Sequence, residues 1–177
     1  SALAAAFVAV VLVRGTEQVV ALGSVAIDGP TLFMQGSILL LAAMAAMVMA
    51  ERQVDPAGDS FAPRASALPG STEEQEFTRL GWLQTEVWPL FLFSVGGMMM
   101  FCTANDLLTM FVALEVMSLP LYLMAGMARR RRLLSQEAAM KYFLLGSYSS
   151  GFFVFGAAML YGFSGTISFN GIIESLA

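Results

Sequence analysis

Two charged residues stand inside apolar runs long enough to cross a lipid bilayer, and their types and positions invite proton chemistry. Glu115 lies within NDLLTMFVALEVMSLPLYLMA, residues 105–125, and Lys141 within EAAMKYFLLGSYSSG, residues 137–151. An ionised side chain at the centre of a membrane helix costs about 2.5 to 3.5 kcal/mol on insertion scales, so such residues usually mark an ion or proton route. Desolvation also shifts buried acids and amines toward neutrality, where protons are readily exchanged.

The neighbours of both residues support that reading. Ser118 and Tyr122, at i+3 and i+7 from Glu115, share its helix face and offer hydroxyls. Pro120 has no amide hydrogen, so it frees the carbonyl of Val116 one turn from the carboxylate. Glu137 lies at i−4 from Lys141 and can pair with it, while Tyr148 and Ser149 extend a polar stripe inward. Gly146, Ser150 and Gly151 allow a neighbouring helix to approach closely. Counting back from Arg129 places Glu115 about 21 Å into its helix, beyond the middle of a hydrocarbon core of about 30 Å. Lys141 is about 9 Å past Ser135 and so shallower by about 12 Å, which argues against a direct ion pair. The structural alternative is a protonated Glu115 that only hydrogen-bonds and a Lys141 that anchors a helix end.

The elements that must hold these residues are read from composition. The chain is 58% hydrophobic and 12% charged, against about 45–50% and about 25% for soluble domains. Its mean hydropathy of +0.73 points the same way. The fold class is all-α, a polytopic transmembrane helix bundle, with no strand pattern and no internal repeat. Membrane helices are expected at about 2–13, 31–50, 82–102, 106–128 and 137–163, in a single membrane domain. The sequence starts at Ser1 without a methionine, and the run at 2–13 is shorter than the roughly 20 residues a span needs. The expectation is therefore the cut end of a longer helix. A cleaved signal peptide fits less well, because no charged segment precedes the run and no convincing A-x-A site follows.

Residues 51–81 hold Pro56, Pro63 and Pro69 among charged residues and form a polar connector, with a short amphipathic helix possible at 71–80. Residues 14–30 form a short external segment ending in the turn and helix start Asp28-Gly29-Pro30, and residues 164–177 form a polar tail. The 51–81 loop and the run Arg129 to Arg132 hold seven of the nine basic residues, and two spans separate them. Both therefore belong on the cytoplasmic side.

Other chemistries find little support. The chain has no histidine and one cysteine, Cys102, which is read as packing. Met98, Met99 and Met100 point to different sides of a helix and do not assemble a metal site. No residue set suits metal, flavin or iron–sulfur binding.

NDLLTMFVALEVMSLPLYLMAG, followed after a basic loop by EAAMKYFLLGSYSSGFFVFGAAMLYGFSGT, closely resembles the antiporter-like membrane subunits of bacterial NADH:quinone oxidoreductase (respiratory complex I), and the subunit N group in particular. The resemblance covers about residues 82–170 well and residues 28–44 more loosely. It implies part of an antiporter-like fold in a multi-pass subunit of the bacterial plasma membrane. Glu115 then corresponds to the family's glutamate on the fifth helix and Lys141 to the lysine on the sixth. In the family the glutamate interacts with a lysine on the next, broken helix, and this sequence ends at Ala177 before that helix. The expectation is an N-terminal fragment of less than half a subunit. The resemblance further implies proton translocation coupled to quinone reduction elsewhere. The partners would be other complex I membrane subunits, the remainder of the same subunit and lipids, without nucleic acid. Quinone, NADH, FMN and iron–sulfur clusters would belong to other subunits, with no cofactor in this chain. Two other readings remain at this point: a cation/proton antiporter subunit without redox coupling, and a membrane scaffold whose charges only fix helix packing.

Overall fold

The computed structural model describes residues 2–49, 72, 87–127 and 132–176. The connector 51–81, apart from Thr72, lies outside the described residues, as do the possible helix at 71–80, the start of the third span at 82–86 and the arginines 129–131. The chain is an all-α bundle of membrane helices. In order they are α1 (Ala2–Leu12), α2 (Gly29–Met49), α3 (Val87–Thr103), α4 (Leu107–Gly126), α5 (Arg132–Ser164) and α6 (Phe169–Leu176). Among the described residues α2, α4 and α5 are long and apolar enough to cross a membrane, and α1 and α3 are shorter apolar helices. Each helix packs mainly on the next in sequence.

Three features depart from the sequence reading. A hairpin of β1 (Gln18–Val20) and β2 (Val25–Ile27) occupies the segment before α2, with Gln18 opposite Ile27 and Val20 opposite Val25. Strands of three residues are too short to show an alternating pattern. Residues 169–176 form α6, with Ile172 buried, where a polar tail was expected. Glycines hide that amphipathic turn. The last span begins at Arg132 rather than about residue 137, because Leu133 to Ala139 are good helix formers and carry the helix past the apolar stretch.

The local causes of these helices are legible. Asp28 caps α2, its Oδ1 accepting the Thr31 amide at 2.8 Å. Asp106 caps α4, accepting the Thr109 amide at 2.7 Å and the Thr109 hydroxyl at 2.8 Å. Gly165, at φ +68, ends α5 in the left-handed conformation, with its amide on the Tyr161 carbonyl at 2.8 Å.

The turn between α3 and α4 holds one end of the bundle together. The Asn105 amide donates to the Ser24 carbonyl and its side-chain amide to the Gly23 carbonyl, both at 2.8 Å. On the other side the Leu107 amide donates to the Ile167 carbonyl at 3.1 Å, and Phe169 donates to the Asn105 carbonyl at 3.4 Å. Hairpin, turn and the segment after α5 thus form one hydrogen-bonded layer.

Inside the bundle, Leu39 and Ala42 of α2 bury against Val95 of α3. The Thr31 hydroxyl and the Gln35 side-chain amide of α2 reach the Cys102 and Met99 carbonyls of α3, each at 3.2 Å. Between α3 and α4 the approach is closest. A Cβ added to Gly97 would lie 2.7 Å from the Met117 Cα and 2.8 Å from the Val116 carbonyl carbon. Next to it, Ser94, only 1% exposed, donates to the Met117 carbonyl at 3.0 Å. Glycine at 97 therefore sets the distance between two helices, and it does so at the turn whose hydrogen bonding Pro120 interrupts.

Gly97→Ala should destabilise the chain by about 1–3 kcal/mol, the usual range for overpacking, as read from thermal unfolding in detergent. The Asp106 carboxyl is held below its ordinary value of 3.8: burial raises it, and hydrogen bonds from Thr109, Ser24 and Leu108 together outweigh that effect. Because the folded value is the lower one, its contribution is complete above the unfolded value and is lost as pH falls through the folded one. Unfolding midpoints measured between about pH 2 and 6 should show a steeper acid-side fall in the native chain than in Asp106→Asn, which can cap without titrating.

Candidate functional site

Glu115 lies about 12 Å from the Leu107 end of α4 and about 17 Å from its Gly126 end, close to mid-span. It is half-buried. Among the described residues its carboxylate has no hydrogen-bond or ion-pair partner. Ser118 is buried one turn on, but its hydroxyl donates to the Leu114 carbonyl, which is the habit of serine in apolar helices. Tyr122 is also buried, and its ring meets Tyr142 edge-on at 4.7 Å and Phe143 at 5.8 Å. The α-helix runs through Pro120, which is buried.

Three contacts fix how α4 and α5 pass each other. A Cβ on Gly126 would lie 3.2 Å from the Ala139 Cβ. Gly146 sits directly under Tyr122, and a Cβ there would overlap the phenol ring and its hydroxyl. Phe111 and Phe153 stack with centroids 6.0 Å apart and planes at 18°. The helices are therefore antiparallel, with Gly126 level with Ala139 and Phe111 level with Phe153. In that register Glu115 stands level with Ser150, and Lys141 stands near Met124, about 14 Å from Glu115 along the axis.

The two sequence-predicted charges are thus not brought together. Lys141 lies about 140° around α5 from Gly146, on the side turned away from α4. It pairs with Glu137 one turn earlier, and these side chains are 69% and 57% exposed. Tyr148 shares that outer side, with its ring edge-on to Phe152 at 4.8 Å. Counting residues gave the difference in depth. It could not show that the faces are opposed, because the facing of α5 follows from its register against α4.

Toward the hairpin end, a cavity of about 750 Å³ opens between α4 and α5, with Phe111 and Phe153 at one end and Tyr161, Gly165 and Thr166 at the other. Its walls are almost wholly apolar, so it offers few groups to hold a file of water. The polar groups of the seam lie on the other side of the Phe111–Phe153 stack. Among the described residues no three His, Cys, Asp or Glu side chains gather as a metal site.

A family model described as "NADH:quinone oxidoreductase/Mrp antiporter, TM" matches residues 104–176, which hold α4, α5 and α6. NADH-quinone oxidoreductase subunit N of Rhodococcus opacus is 57% identical over 194 residues, covering 99% of this chain and 36% of that protein. The subunit N of Mycobacterium tuberculosis H37Rv is 53% identical over 192 residues, covering 98% and 36%. Among solved structures, respiratory complex I from Thermus thermophilus with bound aureothin contains a chain that matches with a TM-score of 0.67 at 31% identity, covering 94% of this chain and 30% of that one. The chain spans about a third of the length of the curated relatives it matches.

If Gly146 exists to seat Tyr122, then Gly146→Ala should cost about 1–3 kcal/mol alone and clearly less in a Tyr122→Ala background. A double-mutant cycle of unfolding midpoints measures the difference.

Proposed function

We propose that the chain belongs, over the stretch it spans, to the family of NADH-quinone oxidoreductase subunit N and is part of a proton-translocating membrane subunit of such a complex. The observation that carries this reading is Glu115: a carboxylate at mid-span, half-buried on the α4–α5 seam, with no partner among the described residues. A group in that setting can take up and release a proton without breaking a structural ion pair. A charge is expensive in hydrocarbon, so a carboxylate placed there without a partner suits a proton route rather than a packing role.

Lys141 acts separately in this scheme. Facing away from Glu115 and held by Glu137, it responds to whatever packs on the outer side of α5. Ser118, Pro120, Tyr122 and Tyr148 shape the two surroundings rather than carry the proton. Redox chemistry with NADH, FMN, iron–sulfur clusters and quinone belongs to partner subunits, and this chain's residues convert the resulting changes of field into proton transfer. The arginine-bearing end faces the cytoplasm of a bacterial cell, and the hairpin layer faces outward. The matching family description also names the Mrp antiporter, and the subunit N relatives above 50% identity favour the oxidoreductase over an antiporter without redox coupling.

In the complete complex, assembled and assayed in membrane vesicles, Glu115→Gln should lower NADH-driven proton pumping about a hundredfold or more, within the range for loss of an acid–base group. Pumping at the native rate would refute the role.

A further inference from the structure

We infer that Ser150 is a positioning residue for Glu115, its hydroxyl donating to the ionised carboxylate across the α4–α5 seam. This rests on the proposed role of Glu115 and adds the group that steadies its charged form.

The first support is placement. Between residues 139 and 157 of α5 the half-buried positions are 139, 146, 150, 153 and 157, one stripe at helical spacing. Ala139, Gly146 and Phe153 of that stripe lie against Gly126, Tyr122 and Phe111 of α4. Ser150 is the remaining member between Gly146 and Phe153. On α4 the facing residues Phe111, Glu115, Ser118 and Tyr122 form the matching stripe, and of the two between the aromatic contacts Ser118 already donates to the Leu114 carbonyl while Glu115 has no partner among the described residues. The register therefore sets the carboxylate and the hydroxyl at one level on facing stripes.

The second support is independent and comes from hydrogen bonding. Ser37, Ser94, Ser118 and Ser164, all buried or half-buried, each donate to a main-chain carbonyl. Ser150 does not, and its hydroxyl has no hydrogen-bond partner among the described residues. Glu115 likewise lacks one. An unpaired donor and an unpaired acceptor at the same level of an apolar seam are costly apart. A change of Glu115 rotamer joins them. The Phe111–Phe153 stack caps this pair on the hairpin side, and Tyr122 over Gly146 closes it on the other.

The test uses the complete complex in vesicles, with assembly scored on native gels and NADH-driven pumping expressed per assembled complex. Ser150→Ala should lower pumping about tenfold or more, the scale of one hydrogen bond to a charged group, and Ser150→Thr, which keeps the hydroxyl, should stay within about twofold of native. Native pumping in Ser150→Ala overturns the inference. Equal losses in Ser150→Ala and Ser150→Thr also overturn it, since volume rather than the hydroxyl would then be at stake. Glu115→Gln run in parallel separates the two claims: if it pumps normally the role of Glu115 has failed, and if it is inactive while Ser150→Ala is native only the role of Ser150 has failed.

Discussion

In hydrocarbon no water satisfies a polar group, so each donor, acceptor and charge at depth must find its partner within protein. This constraint orders the structure. Hydroxyls along α2, α3 and α4 turn to carbonyls of their own helix or the next one, as with Ser37 to Phe33, Ser94 to Met117 and Ser118 to Leu114. At the hairpin end, Asn105 satisfies main-chain groups of both the hairpin and the segment after α5. Against that background Glu115 stands apart as a group left available.

Available groups are useful only if their surroundings are firm, and here firmness comes from missing side chains. Gly97 lets α3 and α4 meet backbone to backbone at the turn where Pro120 withholds a hydrogen bond. Gly146 gives the Tyr122 hydroxyl a seat on α5. Both contacts lie within two turns of Glu115 toward the Gly126 end of α4, one on each neighbouring helix, so the carboxylate sits on a helix clamped from two sides. The stack of Phe111 on Phe153 adds a third fixed point toward the hairpin end.

How much of this could be read from the sequence depends on the range of the interaction. Apolar runs fixed the membrane class and the helical bundle, because burial in lipid is a property of each segment alone. Glu115 declared itself for the same reason. The caps Asp28 and Asp106 lie within three residues of their partners and are legible locally, Asp28 the more so because Gly29-Pro30 follows it. The hairpin was missed because its strands are three residues long and its register depends on contacts to Ala104 and Asn105, some eighty residues away. The facing of Lys141 was also out of reach. It depends on which side of α5 meets α4, and Gly146 and Gly151 offered equally good contact points until Tyr122 was seen over the former. The place of Ser150 on the seam is hidden for the same cause, since the polar run Ser147 to Ser150 covers every side of the helix.

The opposed faces of α5 change the physical picture of how charges in this chain interact. Glu115 and Lys141 are offset by about 14 Å and separated by the body of a helix, and Lys141 already has Glu137 beside it. An interaction between them is a field effect across protein, weakened further wherever water reaches either group. α5 then acts as a partition: its inner stripe, with Gly146, Ser150 and Phe153, belongs to Glu115, and its outer side, with Glu137, Lys141 and Tyr148, belongs to whatever lies beyond. On the proposed reading of Glu115, a change at the exposed Lys141–Glu137 pair would reach it only as that field, because among the described residues no side chain of the outer face touches the inner stripe of α5.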